Sequence, residues 1–187
     1  MSILKVLANQ LILVLLFTNN LAVPLYAQRQ PHLNYQIKAV YLYNFTQFVE
    51  WPETVLPAGN APLVIGVVGE DPFGGYLDEV VQGEEINGHP LSIRRFSQTE
   101  EIQGCHILFI NLPDAAKIEN TLDRIKGQSV LTVSDHHEFL EKGGMIKFIS
   151  VANKIQFQIN PDASNSAELK ISSKLLRLAE IVTLSNH

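Results

Sequence analysis

Apolar side chains recur at helical spacing in the first segment that follows the N-terminal apolar run. Projected at 100° per residue, they form a stripe about 140° wide, which we expect to face the core. The stripe consists of Ile37, Tyr41, Leu42, Phe45, Phe48 and Val49. Only Lys38 intrudes, and its long stem is expected to carry the charge outward to solvent. Because Pro52 cannot continue a helix, the pattern predicts a helix over residues 35–50.

A narrower apolar set lies on the opposite, polar side of this helix. Val40 and Tyr43 fall there, as does Trp51 if helical geometry extends that far, and Gln47 lies beside them. Aromatic rings with a polar tip are common in protein interfaces, where a few side chains carry most of the binding energy. Two interpretations stay open: these four residues contact a partner or a second subunit, or other elements of the domain cover them.

Three short, almost wholly apolar runs predict strands that are covered on both faces. They span residues 63–68, 106–110 and 129–133. Each is followed by a segment with helix-start signals, a capping Asp or Ser with or without a proline beside it. The predicted helices run over residues 71–81, 114–126, 134–144 and, at the C-terminus, 172–184. Alternation of strand and helix predicts a parallel sheet.

Two hairpins add antiparallel strands to this sheet. Asn87-Gly88 tolerates the positive φ angles of a tight turn, and strands should flank it. A second hairpin is predicted around Asn153, between residues 145–151 and 154–159. The fold class is therefore α/β: a single domain over residues 35–184, with a mixed, mostly parallel sheet, helices on both faces and two β-hairpins.

The first 27 residues have the order of a secretory signal peptide. Lys5 precedes the unbroken apolar run 11–17, and the small residue Ala27 ends the segment. The competing interpretation is an uncleaved membrane anchor, but polar residues 18–20 interrupt the run before the roughly 20 apolar residues that a span needs. We expect export to the periplasm, with residues 28–34 as a polar leader to the domain.

Composition narrows the function classes. The 187 residues are 46% hydrophobic and 18% charged, which suits one globular core, and the formal net charge is −5. Nothing in this balance suggests a nucleic-acid partner, which usually shows as a basic patch. The chain has one cysteine, Cys105, so an internal disulfide is impossible. Because Cys105 begins an apolar run, we expect a buried, unreactive thiol.

One candidate ligand site lies where the first predicted strand meets the next helix. Asp71, Phe73 and Gly74 belong to this loop, and Asn111 follows the second predicted strand. Ligands of open α/β sheets gather at the carboxyl ends of the strands, so these residues would share a rim. The alternative is that Asp71 is only a helix cap. The sequence contains neither a dinucleotide GxGxxG nor a phosphate-binding GxxxxGK[ST] motif.

Catalytic and metal motifs are missing from the sequence. His136 and His137 are adjacent, and adjacent residues on a helix point in different directions, so we predict no metal site there. No HExxH, CxxC or GxSxG motif occurs. We predict no cofactor and no enzymatic activity.

Eight segments give the chain a family resemblance. In order, they read KAVYLYNFTQFVEWP, GEDPFGG, INGHPL, GCHILFI, VLTVSD, GGMIKF, FQIN and LKISSKLLRLAEI. Together they resemble the YfiR family of exported bacterial proteins, over about residues 35–183. The resemblance implies a periplasmic α/β domain without catalytic activity.

The resemblance also implies a role and partners. The best-described type of this family represses an inner-membrane diguanylate cyclase through that enzyme's periplasmic region, which lowers cyclic-di-GMP and biofilm formation. We therefore expect a regulatory protein that forms a homodimer and binds a membrane signalling protein such as a diguanylate cyclase or sensor kinase. Disulfides affect some members, but Cys105 has no partner cysteine here. The alternative function is a periplasmic small-molecule sensor that uses the rim.

Overall fold

The structure, a computed structural model, describes residues 29–184. The predicted signal peptide lies outside the described residues. The helices are α1 (Arg29–Phe48), α2 (Tyr76–Val81), α3 (Ala115–Arg124), α4 (Pro161–Ser166) and α5 (Ser173–Leu176), with one 3-10 turn at Thr99–Glu101. The strands are β1 (Val49–Glu50), β2 (Leu63–Gly69), β3 (Glu85–Ile86), β4 (His89–Phe96), β5 (Ile107–Asn111), β6 (Leu131–Ser134), β7 (Ile146–Val151), β8 (Lys154–Ile159), β9 (Lys170–Ile171) and β10 (Glu180–Ile181).

Within the described residues, one sheet has eight strands in the order β10-β8-β7-β6-β5-β2-β4-β3. Strands β4, β2, β5, β6 and β7 run parallel, and the β3–β4 and β7–β8 pairs are antiparallel. A separate two-stranded pair joins β1 to β9. The predicted fold class, mixed and mostly parallel α/β, is confirmed.

Alternating side chains of the central strands cover both faces of the sheet. Ile65 and Val67 of β2 face one core, which α1 and α2 cover, whereas Val64 and Val68 face a second core under α3. The three apolar runs are therefore strands buried on both sides, as predicted. Their bounds shift by one or two residues from those expected.

Helix α1 buries a stripe that is rotated from the predicted one. Ala39, Leu42 and Phe45 are fully buried, but Ile37 is exposed. Lys38, expected to reach solvent, is buried instead, because its ammonium group bonds the carboxylate of Asp135. The helix also begins at Arg29, within the predicted polar leader, and ends at Phe48.

The aromatic side chains of α1 pack on the β7–β8 hairpin. The Phe45 ring lies 5.4 Å from the Phe157 ring and 5.9 Å from Phe148, centroid to centroid. Tyr41 contacts the same two rings at 5.4 and 5.9 Å. These offset and edge-to-face arrangements are the favourable ones for aromatic pairs. They fix the helix across the sheet.

Three predicted helices differ in the structure. Residues 71–75 form turns, so α2 begins only at Tyr76: Gly74 has φ +56°, which is not helical, and the Asp71 side chain accepts from the Phe73 N–H. Residues 135–144 form successive turns without a helix: of the two predicted caps, Ser134 donates to the Ile110 carbonyl and Asp135 binds Lys38.

The predicted C-terminal helix is the largest error. Ser172 does cap a helix, its Oγ accepting from the Leu175 N–H, but α5 stops at Leu176. The chain then turns and β10 pairs in parallel with the free edge of β8. The Val182 N–H donates to the Ile159 carbonyl at 2.8 Å. The edge of β8 carries backbone N–H and C=O groups that would have no hydrogen-bond partner in the sheet if residues 172–184 were a helix. Pairing with β10 provides these partners.

Candidate functional site

The predicted rim residues meet at one edge of the sheet. Gly69 of β2 lies in register with Asn111 of β5, so the loop after β2 and the end of β5 are neighbours. The Asn111 side-chain amide donates to the Glu70 carbonyl at 2.7 Å, which ties the loop to the strand. Phe73 is buried, with its ring 4.8 Å from the Phe109 ring. The four residues are thus grouped as predicted, and a ligand role for them stays a prediction.

Arg95, which sequence reasoning missed, binds this loop from β4. Its guanidinium donates to the carboxylates of Asp71 and Asp78, at 2.6 and 2.5 Å, and to the Gly74 carbonyl at 3.0 Å. These contacts raise the pKa of Arg95 and hold the pKa of Asp78 below its usual value, chiefly through the hydrogen bonds between the two groups. The single positive charge of Arg95 therefore offsets part of the negative charge that Asp71 and Asp78 bring to this edge of the sheet.

A second charged cluster lies at the same edge. The Asp135 carboxylate, just after β6, accepts from the Lys38 ammonium at 2.5 Å and from the Tyr35 hydroxyl at 2.9 Å. Lys38 also lies over the Tyr35 ring, 4.1 Å from its centroid. Burial and the neighbouring carboxylate raise the pKa of Tyr35 above its usual value, so the phenol stays a neutral donor. This cluster fastens α1 to the sheet.

The four residues predicted to bind a partner divide into two pairs. Val40 has 39% of its surface exposed, and Gln47 is also exposed. Tyr43 and Trp51 are half-buried and bonded within the domain. The Tyr43 hydroxyl donates to the Glu84 carboxylate at 2.7 Å, and the Trp51 indole N–H donates to the His106 carbonyl at 3.2 Å. The open surface of α1 therefore centres on Val40 and Gln47, with the Tyr43 ring beside them.

His106 is a buried structural group. Its Nδ1 accepts the Val64 N–H at 3.0 Å, which requires a neutral ring. Burial lowers the pKa of His106, and this keeps the ring neutral. The same run holds Cys105, whose thiol is buried and has its pKa raised to about 11 by desolvation. The burial of Cys105 and the raised pKa of its thiol both fit the prediction of an unreactive cysteine.

A cleft of about 800 Å³ opens at the other end of the sheet, at the amino ends of β6 and β7. Its lining includes apolar side chains, carboxylates and ammonium groups from the end of α3 and the segment after it, from the turns before β7, and from α4. Among these residues are Leu122, Ile125, Lys126, Met145, Asp162 and Ser166. Sequence reasoning missed the cleft because no single segment carries it.

The comparisons with known proteins give the family. The sequence model of the YfiR/HmsC-like family matches residues 35–180. The chain therefore belongs to the YfiR/HmsC-like family of proteins, as its motifs indicated. No curated protein matches the sequence. Among the helices within residues 29–184, none is both long and apolar enough to cross a membrane.

Proposed function

We propose that the protein is a non-catalytic periplasmic regulator that represses a membrane-bound diguanylate cyclase through protein contacts. Family membership over residues 35–180 is the observation that carries this proposal. The signal-like segment 1–27 supports export. Repression would act on the periplasmic region of the cyclase and lower cyclic-di-GMP in the cell.

The open surface of α1 is the proposed contact for this partner. It combines the exposed apolar side chain of Val40, the Gln47 amide and the half-buried ring of Tyr43. Tyr is one of the residue types enriched in interface hot spots, and Val40 and Gln47 would surround the Tyr43 ring and exclude water from it. Because Lys38 and Asp135 fix the opposite side of the helix, this surface is rigid, which lowers the entropic cost of association.

Val40→Glu is expected to reduce co-purification with the membrane cyclase at least tenfold. The charge would be buried against the partner without an opposite charge, whereas in the free protein it points to solvent. The partner to use is a membrane protein with a periplasmic region and a cyclase domain encoded beside this gene. Pull-down from detergent-solubilised membranes and cellular cyclic-di-GMP measure the effect.

The matched control is Asn120→Lys, an exposed change on α3 at the opposite face of the sheet. Both variants should melt within a few degrees of the wild type. Binding that survives Val40→Glu would remove α1 from the contact, and an unchanged cyclic-di-GMP level after deletion of the whole protein would contradict the regulatory function itself. Loss of self-association in gel filtration would instead assign the surface to a second copy.

The cleft favours a second candidate function, a sensor of small molecules. Its volume lies in the range of ligand pockets, about 300–1,000 Å³. Three carboxylates line it, from Asp123, Glu141 and Asp162, against the ammonium groups of Lys126 and Lys142. Lys142 is paired with Glu119 at 2.9 Å, so negative charge is in excess. An amphipathic molecule with a cationic group would fit this lining.

Ser166→Trp is expected to abolish stabilisation by such a molecule in a thermal-shift screen of amino acids, amines and nucleotides. Ser166 lines the cleft, and an indole at this position would occupy part of the volume that a ligand needs. The control is Asn165→Trp, an exposed neighbour outside the lining, which should keep the shift. A stabiliser that acts equally on both variants would place its site elsewhere, and no stabiliser in the screen would argue against the sensor function.

A further inference from the structure

Three consecutive side chains that can bind metal converge on the turn after β6. The imidazole rings of His136 and His137 are stacked, with centroids 4.5 Å apart and planes inclined by 30°. His137 Nε2 lies 3.5 Å from Glu138 Oε2. One ligand atom from each of the three residues lies within 4.8 Å of the other two. Neighbouring residues thus face the same way.

His136 and His137 were expected to point in different directions because a helix was predicted here, but they lie in a turn. On a helix, adjacent side chains diverge by 100°, but residues 135–144 contain no helix. Ser134 Oγ accepts the His136 N–H at 3.1 Å, and the His136 carbonyl accepts the Phe139 N–H at 3.1 Å. These bonds curl the main chain tightly, and the two rings project to the same side.

The cluster combines a fixed backbone with accessible side chains. On one side Asp135 is bound to Lys38, and on the other Phe139 is fully buried. The His137 and Glu138 side chains are 82% and 48% exposed, so they can move and no desolvation opposes an incoming ion. A rigid main chain limits the ordering entropy that binding would cost.

We propose that His136, His137 and Glu138 bind a divalent transition-metal ion of the Zn²⁺ or Cu²⁺ type. Imidazole nitrogen with one carboxylate oxygen is a donor set for these ions, and Cu²⁺ binds such sets more tightly than Zn²⁺. Bonds of about 2.0–2.2 Å place tetrahedral ligands about 3.3 Å apart, so the exposed side chains close by roughly 1.5 Å. Water fills the remaining positions. This inference goes beyond the proposed regulatory function and does not depend on it.

Two local contacts oppose the ion and keep the site weak. His136 Nδ1 accepts the Glu138 N–H at 3.3 Å, and coordination by His136 gives up this long hydrogen bond. The Lys147 ammonium donates to the His137 carbonyl at 3.0 Å, which places a positive charge beside the site. Affinity should therefore be micromolar, and removal of the Lys147 charge should increase it.

The test is calorimetric titration of the purified protein with ZnCl₂ and, separately, CuCl₂. We expect one equivalent of bound metal, weakened at least tenfold in His137→Asn and at least threefold in Glu138→Gln. Lys147→Gln should strengthen binding several-fold. The matched control is Glu53→Gln, an exposed carboxylate outside the cluster, which should bind as the wild type does.

Two results would overturn the site. In the first, metal affinity is unchanged in His136→Asn and His137→Asn but is lost in His187→Asn. This result would assign the metal to the C-terminus. The other is an absence of heat up to millimolar metal. The side chains of His137, Glu138 and Glu53 are exposed, whereas those of His136 and Lys147 are half-buried, and thermal melts near that of the wild type will show that the variants are folded.

Discussion

Gly69→Ala is expected to lower the free energy of unfolding by about 4 kcal/mol or more, a size reserved for backbone clashes and core disruption. Gly69 ends β2 with φ +91°, which residues with a side chain rarely adopt. A Cβ there would lie 2.0 Å from the Asn111 carbonyl oxygen. Neither backbone can move aside, because the two strands pair in register at this point. Urea unfolding followed by circular dichroism measures the loss.

The control for this prediction is Gly74→Ala in the loop that follows. Gly74 also has positive φ, +56°, but an added Cβ would meet nothing within 4 Å. The loss of unfolding free energy then comes only from placing Ala in the left-handed conformation, which costs about 1–2 kcal/mol. Equal losses of unfolding free energy in the two variants would show that the positive φ angle causes the whole effect. The contact between Gly69 and β5 would then not be tight.

Asp135→Ala is expected to cost about 3 kcal/mol, because it leaves the buried Lys38 ammonium without its partner. The Lys38 side chain is only 10% exposed and that of Asp135 is 23% exposed, so the lower end of the range for buried pairs applies. The variant also removes the acceptor of the Tyr35 hydroxyl. The midpoints of thermal and urea unfolding should both fall. The backbone amides of α1 around Lys38 should exchange hydrogen faster than in the wild type.

A double-mutant cycle isolates the pair. Lys38→Met in the Asp135→Ala background should recover a large part of the loss, because the unpaired buried charge is gone. The control is Glu119→Ala, which breaks the exposed ion pair with Lys142 and should cost much less, because solvent screens exposed pairs. Additive effects of Lys38→Met and Asp135→Ala would contradict the coupling.

The central architecture was readable from local patterns. The runs around Val67, Phe109 and Val133 are apolar on both faces, and that pattern has one common explanation, a covered parallel strand. Asn87 adopts φ 54° and Gly88 φ 86°, as the sequence predicted for a tight turn. Such features depend on neighbouring residues alone, so the sequence suffices.

Errors arose where distant residues decide the local structure. The Asp71 carboxylate accepts from the Phe73 N–H and binds Arg95, 24 positions away, but residues 71–75 form turns and not the predicted helix start. Lys38 turns inward because Asp135, 97 positions away, lies there. The sequence predicted a helix over residues 172–184, but Glu180 and Ile181 pair with the open edge of β8 instead. No local pattern carries this information.

The same distinction applies to the candidate sites. The rim was predicted because residues at the carboxyl ends of parallel strands are brought together by topology. The cleft was missed because helices and loops that are distant in the sequence form it together. The convergence of His136 and His137 was missed because it depends on a turn that Asp135 and Phe139 impose. Val40 was correctly placed on the polar side of α1, whereas the internal bonds of Tyr43 and Trp51 were not foreseen.

The aromatic contacts of α1 set an order on folding during synthesis. Tyr41 and Phe45 emerge from the ribosome early, but the rings they pack on, Phe148 and Phe157, are made more than a hundred residues later. Contacts of such long sequence separation form slowly. The apolar face of the first helix thus stays uncovered until most of the domain has been translated. During that interval the Tyr41 and Phe45 rings can bind chaperones or promote aggregation, until the β7–β8 hairpin packs against them.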